Sequence, residues 1–165
     1  EAVGILREQD RDIRCLIIGD GPERERLEEM VNDRKLRSAV TFTGFLPRSE
    51  DVMGYMKSSR IFVFPSTREG FGMAVLEALG CGLPVVTIDH PKNAARFLVS
   101  EDCGALCAPD PRDLSITIRN VLGDPEKGGN NSRRRAQQYD WDPIAGAIEE
   151  YYLRVSEEYR GRHHR

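Results

Sequence analysis

A chain of 165 residues is long enough for one domain with a substantial hydrophobic core. Its 39% hydrophobic and 31% charged residues are typical of a folded globular protein. The formal net charge of −3 excludes a strongly basic surface, so we do not expect nucleic acid as a partner. No apolar run reaches the roughly 18 residues that a membrane span requires.

The predicted elements alternate between strands and helices along the chain. Short apolar runs predict strands at 15–19, 40–44, 60–65, 83–89 and 104–109. Amphipathic or apolar segments predict helices at 1–10, 23–36, from Ser49, 72–81, 91–99, 110–124 and from about Asp142. This alternation predicts an α/β fold, with a parallel sheet covered by helices on both faces.

Three glycine-containing loops follow the first three predicted strands. They are Gly19-Asp20-Gly21, Gly44-Phe45 and Gly70-Phe71-Gly72. Ligands of parallel α/β sheets bind beyond the carboxyl ends of the strands, so we expect these loops to line one binding cleft. The dinucleotide fingerprint fails, because Arg24 and Val75 occupy the places of its third glycine. No Gly-Lys-Ser/Thr tripeptide is present, which excludes a Walker loop.

The segment 64–86, FPSTREGFGMAVLEALGCGLPVV, holds two glutamates in apolar surroundings. Glu69 precedes a glycine turn, and Glu77 follows eight positions later within an apolar run. A helix that is apolar on nearly every side is a buried helix, so we expect Glu77 to be buried. A buried carboxylate is costly without a hydrogen-bond partner, which the protein or a ligand must supply.

The spacing of the two glutamates suits an elongated ligand. Eight helical residues rise about 12 Å, so two carboxylates that far apart cannot share one proton-transfer site. They suit the two ends of a nucleotide-diphosphate sugar, with its phosphates near the free N–H groups at the helix start. The alternative is structural: Glu69 caps the helix and Glu77 pairs with an internal arginine or lysine.

The four cysteines do not form a recognisable metal motif. Cys103 and Cys107 are close enough in sequence for a disulfide or half of a metal site. Buried reduced thiols are the simpler interpretation, and they indicate a cytoplasmic protein.

Four motifs resemble, in chain order, the C-terminal half of the GT-B glycosyltransferases of family 4, the "glycosyl transferases group 1". They are GDGPERERLE, TFTGFLP, FPSTREGFGMAVLEALGCGLPVV and YDWDPIA. The resemblance extends from residue 1 to about residue 153. It implies a Rossmann-like domain over 1–160 that binds a nucleotide sugar, followed by a tail at 161–165.

The resemblance also assigns roles to individual residues. Glu69 would be the catalytic residue, holding hydroxyls of the donor sugar near the reacting carbon, and Glu77 would bind the ribose hydroxyls. The backbone at Gly70, Phe71, Gly72 and Met73 would contact the sugar and the diphosphate. Phe45 and Leu46 would lie against the base, and Gly19 and Gly21 would line the cleft.

The implied activity is transfer of a sugar from a nucleotide-diphosphate sugar to a glycan, lipid or small acceptor. Family members retain the anomeric configuration and use no metal or cofactor, because protein groups offset the charge of the leaving diphosphate. The other implied partner is an N-terminal acceptor-binding domain that this chain lacks, and peripheral membrane association would occur through that domain. We therefore expect this chain alone to be inactive.

Two departures from the family pattern keep other functions open. The arginine and lysine that clasp the diphosphate in the family lie upstream of residue 1. The usual Gly-Gly-x-x-Glu turn is replaced by DHPKNAARFLV, where we expect Lys92 and Arg96 to have surface roles. A non-catalytic module that binds a nucleotide sugar or a protein partner is the alternative, and a sugar-nucleotide epimerase is a third possibility.

The C-terminal part contributes two structural expectations. Arg133, Arg134 and Arg135 are interpreted as a solvated helix start rather than a nucleic-acid patch. Trp141 is interpreted as a core anchor for the last helix. The apolar face of that helix is expected to be exposed or to dimerise.

Overall fold

The computed structural model describes residues 1–163, and only the backbone of residues 161–163. The strands are β1 (Cys15–Ile18), β2 (Val40–Gly44), β3 (Phe62–Phe64), β4 (Val85–Ile88) and β5 (Gly104–Cys107). The helices are α1 (Ala2–Gln9), α2 (Arg24–Asp33), α3 (Ser49–Lys57), α4 (Met73–Gly80), α5 (Pro111–Gly123), α6 (Asn130–Gln137) and α7 (Trp141–His163). A 3₁₀ helix spans Ala94–Leu98. The expected tail at 161–165 begins inside α7, and residues 164 and 165 lie outside the described part of the chain.

The strands form two parallel sheets rather than one. β1 pairs with β2, with Cys15 opposite Val40, and β3-β4-β5 form the second sheet, with Phe62 opposite Val85. The α/β class with parallel strands and helices is confirmed, and the five strands fall into two sheets, because β1 and β3 share no backbone pairing.

The hydrophobic core has three parts, defined by the layers that enclose them. α3, α4 and the 3₁₀ helix cover one face of the larger sheet, and α5 covers the other face. α1 and α2 pack on β1 and β2. α1 joins the two sheets, because Leu6 packs with the α5 side and Val3 with the β1–β2 cluster.

The predicted helix at 91–99 is shortened to the 3₁₀ helix. The backbone N–H of Glu69 donates to the carbonyl of Lys92 at 3.0 Å, and the N–H of Ala94 donates to the carbonyl of Glu69 at 3.0 Å. These two bonds pair residues 92–94 with Glu69 as an isolated parallel bridge. The segment therefore starts with a turn at His90–Asn93, in which the N–H of Asn93 donates to the carbonyl of His90 at 2.9 Å, and Asn93 itself is extended, so helical structure begins only at Ala94.

The core anchor predicted at Trp141 is wrong. Trp141 is 76% exposed, and the other large apolar side chains of α7 named here are exposed too: Ile148, Tyr151, Tyr152, Leu153, Val155 and Tyr159. One face of α7 forms a shallow groove from Trp141 to Ser156. That face is exposed in the single chain, and dimerisation through it stays an expectation.

The cysteines are unpaired, as the simpler interpretation of the sequence expected. Cys15, Cys81, Cys103 and Cys107 are all free thiols, and the last two are buried. In the described part of the chain, no helix combines the length and the apolarity that crossing a bilayer requires.

Candidate functional site

The first two glycine loops meet at the ends of β1 and β2. The backbone N–H of Gly19 donates to the carbonyl of Gly44 at 2.9 Å, and both glycines have positive φ, at 120° and 71°. A Cβ on Gly44 would lie 2.9 Å from an Arg24 guanidinium nitrogen, which itself pairs with Asp20 at 3.0 Å. Only glycine fits at position 44 without displacing this ion pair.

The residues beyond these glycines project from the fold. Phe45 is 76% exposed, Leu46 is half-buried and Gly21 is exposed. An exposed aromatic ring at the carboxyl end of a strand provides a flat apolar surface against which a planar group can stack.

The third loop connects β3 to α4 and is pressed against the 3₁₀ helix. Gly72 is buried with φ 100°, and a Cβ there would lie 2.6 Å from the Cβ of Ala95. The Phe71 ring contacts Tyr139 edge-on, with centroids 5.9 Å apart, and the Arg135 guanidinium lies over Tyr139. Within the described residues, no hydrogen bond or ion pair joins this loop to the first two loops.

Glu69 is half-buried, and its carboxylate turns back onto the loop that follows it. Oε1 accepts hydrogen bonds from the backbone N–H of Gly70 at 2.8 Å and of Phe71 at 3.2 Å. Two N–H groups that the resemblance assigns to the donor are therefore held by Glu69 in this structure. They fix the carboxylate in the turn before α4, but Glu69 does not cap the helix as the structural alternative expected, because the N-cap is Gly72 and it is bonded by no side chain of the described residues.

The burial predicted for Glu77 is wrong. α4 has only eight residues and is buried on the side of Val75, Ala78 and Leu79. Glu77 lies on the opposite side with exposed Met73 and Gly80, and its carboxylate has no hydrogen bond or ion pair within residues 1–160. Because it is solvated, Glu77 requires neither a buried diol nor an internal cation.

The expected separation of the Glu69 and Glu77 carboxylates by about 12 Å of helical rise is also wrong. α4 starts at Met73, so Glu69 lies in the turn before it and the helical rise does not separate the two carboxylates. Val75, Ala78 and Leu79, which are apolar neighbours of Glu77 in the sequence, pack on the side of α4 that faces the sheet. Met73 is exposed.

The turn that replaces the family's Gly-Gly sequence is held by local contacts. Arg96 pairs with Asp89 at 2.8 Å and lies over the ring of Phe97. The backbone N–H of Lys92 donates to Nδ1 of His90 at 3.2 Å. These contacts give Arg96 a structural role at this turn.

Sequence reasoning missed Asn93, the buried polar residue of this region. Asn93 is fully buried next to Glu69, and its amide nitrogen bonds to β4. A lone asparagine after Pro91 and Lys92 resembles an ordinary turn residue, so the sequence contained no signal for its burial.

The family model described as "Glycosyl transferases group 1" matches residues 1–140. The chain belongs to this family. The match includes all three glycine loops, Glu69, Glu77 and α6, and it ends just before α7.

Relatives and solved structures agree with this family assignment. The "GDP-mannose-dependent alpha-(1-6)-phosphatidylinositol dimannoside mannosyltransferase" of Mycobacterium tuberculosis is 30% identical over 90% of this chain and 38% of its own length. The structure of a sucrose-phosphate synthase from Thermosynechococcus elongatus matches with a TM-score of 0.80 and 29% identity, over 95% of this chain and 42% of that one. An Anabaena protein solved with UDP and glucose shares the fold, with a TM-score of 0.76 and 24% identity over 92% of this chain and 44% of that one.

The group 1 chain therefore has the Rossmann-like α/β fold of GT-B proteins. It spans about two-fifths of the length of these relatives.

Proposed function

We propose that this chain is the donor-binding domain of a retaining, metal-independent family 4 glycosyltransferase. The full enzyme moves a sugar from a nucleotide-diphosphate sugar to a glycan, lipid or small acceptor. The main support is the Glu69 turn, where a carboxylate and the N-terminus of α4 follow the carboxyl end of β3. Ligands of parallel α/β folds bind at such strand ends, and a helix N-terminus attracts phosphates.

In this proposal Glu69 is the catalytic residue and holds hydroxyls of the donor sugar. When the donor binds, the Glu69 carboxylate releases its hydrogen bonds to the backbone N–H groups of Gly70 and Phe71. Those N–H groups then donate to the donor and offset the charge that develops on its diphosphate. Glu77 accepts hydrogen bonds from the ribose, which its exposure permits. Phe45 and Leu46 lie against the base, while Gly19 and Gly21 line the cleft beside Gly72 and Met73.

The donor class is supported by what the related proteins use. The Mycobacterium tuberculosis relative is named for GDP-mannose, and the Anabaena protein was solved with UDP and glucose. Both are consistent with a nucleotide-diphosphate sugar as donor, and they differ in the base.

The remaining part of the catalytic cleft is proposed to lie outside these 165 residues. The chain spans 38% of the Mycobacterium tuberculosis relative, which leaves room for an acceptor-binding domain and for the arginine and lysine that clasp the diphosphate. We accordingly propose that the chain alone is inactive. The full enzyme would be cytoplasmic and would reach lipid acceptors, if it uses them, through that domain.

The activity test uses the full-length protein with UDP-, GDP- and ADP-sugars. We expect turnover of one donor class and a loss of about 100-fold in kcat for Glu69→Ala, because contacts to developing charge and to the reacting sugar carry effects of that size. The exposed Glu101→Ala variant is the control and should retain full activity. Absence of turnover with every donor would instead support the non-catalytic binding module.

Two further measurements test the finer claims. The anomeric configuration of the product, read by NMR, tests retention, and unchanged activity after treatment with a chelator tests metal independence. Calorimetry of the 165-residue chain with UDP and GDP should give a Kd near the millimolar range, about −4 kcal/mol, because the phosphate clamp is absent.

A further inference from the structure

A buried side-chain amide connects the Glu69 turn to the sheet. Asn93 is 0% exposed and lies beside Glu69, and their backbones form an isolated parallel bridge. The two backbone hydrogen bonds of that bridge use both the N–H and the carbonyl of Glu69. The backbone of Glu69 is therefore placed by residues 92–94.

The side chain of Asn93 in turn fixes that segment to β3 and β4. Its Nδ2 donates to the carbonyl of Ile88 at 2.7 Å and to Oγ1 of Thr87 at 3.2 Å. The Thr87 hydroxyl donates to the carbonyl of Phe64, the last residue of β3, at 2.9 Å. A continuous chain of hydrogen bonds thus runs from the carboxyl ends of both strands to the Glu69 turn.

The orientation of the amide is determined by its partners. The carbonyl of Ile88 can only accept a hydrogen bond, and Thr87 Oγ1 uses its proton on Phe64, so both positions require the NH₂ group of Asn93. The opposite end, Oδ1, is buried and has no hydrogen-bond partner among the residues that the structure describes. An unpaired buried acceptor lowers stability, so this network is not the one that stability alone would select.

The covalent link between β3 and Glu69 gives little additional support. It passes through exposed Pro65, Thr67 and Arg68, and Ser66 bonds only within that loop, to Arg68. The position of Glu69 relative to the strand ends consequently depends on the 92–94 segment and on the amide that anchors it.

We propose that Asn93 is a positioning residue for Glu69. It does not contact the substrate, because it is fully buried, and it acts by holding the Glu69 backbone at a fixed place above β3 and β4. This inference rests on the role of Glu69 in the proposed function. Losing the anchor shifts the carboxylate, and a shift of about 1 Å in a positioned group costs up to about 100-fold in rate.

The first test measures the anchor itself, by amide hydrogen exchange in the 165-residue chain. In Asn93→Ala, protection of the Glu69 and Ala94 N–H groups should fall about tenfold more than that of the Val85 N–H, which bonds to Cys103 within the larger sheet. Thr87→Val removes one hydroxyl at nearly constant volume and should give a smaller change of the same pattern. Val121→Ala, a cavity variant in the core on the α5 side, is the control and should show no selective loss at Glu69. Equal protection changes at all sites in Asn93→Ala would overturn the anchor.

The second test is a double-mutant cycle in the full-length enzyme. Asn93→Ala should lower kcat about 10- to 100-fold, with a smaller change in the donor KM. In a Glu69→Ala background the same substitution should change kcat less than about twofold, because the residue that it positions is already absent. The Val121→Ala control should act equally in both backgrounds.

The outcomes separate this inference from the proposed function. If Glu69→Ala is strongly impaired and Asn93→Ala costs the same factor in both backgrounds, Asn93 acts independently of Glu69 and the positioning role is wrong. If Glu69→Ala retains full activity, the catalytic role of Glu69 fails, and the positioning role fails with it.

Discussion

Gly72 combines a backbone conformation and a close contact that only glycine accommodates without strain. Its φ of 100° lies in the left-handed region, and a Cβ would lie 2.6 Å from the Ala95 Cβ. We expect Gly72→Ala to lower the free energy of unfolding by about 1–3 kcal/mol, because both the strain and the overlap must be relieved. Urea unfolding of the 165-residue chain measures this change.

Gly54 is the matched control. It lies in α3, it is exposed, and nothing lies within 4 Å of an added Cβ. Gly54→Ala should raise the free energy of unfolding by about 0.5–1 kcal/mol through helix propensity. A rise in the unfolding free energy for Gly72→Ala, like that expected for Gly54→Ala, would show that Gly72 is not constrained as described.

The Cys107 thiol gives a pH-dependent prediction. Burial, together with the nearby charge of Asp113, raises the pKa of Cys107 from 9.0 to about 11. The unfolded state therefore loses this proton first, so the stability that the buried thiol contributes is complete below about pH 9 and falls as the pH rises towards 11. We expect the difference in unfolding free energy between wild type and Cys107→Ala to shrink from pH 8 to pH 10.5. A difference that stays constant over this range would contradict the assigned pKa.

At single residues, the sequence located the glycine turn before α4 but not the burial of the side chains around it. The glycine turn and Glu69 were located from their residue types, because few alternatives explain a carboxylate next to Gly70 and Gly72. The burial of Glu77 was predicted wrongly, since its neighbours in sequence are apolar but it faces solvent, whereas Asn93 is buried without any sequence signal. Which side of a short helix meets the sheet is decided by tertiary packing, which a local pattern does not contain.

Helix α6 is held to the domain by polar contacts although its sequence, NNSRRRAQ, has little apolar surface. Ser132 is fully buried and donates to the carbonyl of Leu83 at 2.7 Å. Arg135 Nε donates to the carbonyl of Leu98 at 3.0 Å, and its guanidinium also bonds to the carbonyl of Phe97. Side chains of α6 therefore satisfy carbonyl groups at the ends of neighbouring elements.

Removing the Ser132 hydroxyl tests this mode of attachment. Ser132→Ala should lower the free energy of unfolding by about 1–3 kcal/mol, because the Leu83 carbonyl loses the donor that Ser132 provides at a buried position. Ser58→Ala is the control, since Ser58 makes a similar bond to Gly54 at 2.8 Å in an exposed position and should change stability by less than about 0.5 kcal/mol. Thermal or urea unfolding distinguishes the two. Equal small effects would show that the polar contacts of α6 do not hold it in place.

Among the helices, the bounds were predicted well where the sequence contains a local start signal. The helix predicted at 110–124 was found as Pro111–Gly123, where Asp110 caps the N-terminus and Pro111 takes the first position. The helix predicted at 91–99 also begins with a proline, Pro91, but His90 precedes it in place of a capping aspartate, and its first residues pair with Glu69 instead. Non-local pairing of this kind is not encoded in periodicity.

For the whole molecule, the sequence predicted the class but not the pairing of the strands. β1 and β3 have apolar sequences, CLII and FVF, yet both are partly exposed, whereas β4 is buried throughout between two neighbours. Apolarity predicted that all three are strands, and it did not show which of them pair. Strand order depends on contacts between strands in the assembled sheet, so the composition of a single strand does not determine it.

The apolar side chains of helix α7 that the structure describes, up to residue 160, do not belong to any of the three cores. Trp141, Ile148 and Tyr152 line an open groove on one face and are exposed. Apolar surface that stays in water contributes no burial free energy to folding. We therefore expect the chain 1–140 to unfold with a free energy within about 1 kcal/mol of the value for the chain 1–165, measured by urea titration.

A second truncation gives the comparison that makes this result informative. Ending the chain at Asp124 also removes α6, and with it the buried Ser132 and the Arg135 contacts, so this variant should lose several times more stability than the chain 1–140. A loss of several kcal/mol already at 1–140 would mean that the face of α7 is buried against the domain in solution. Loss confined to the shorter chain would place the boundary of the folding unit between α6 and α7, at the same point where the family match ends.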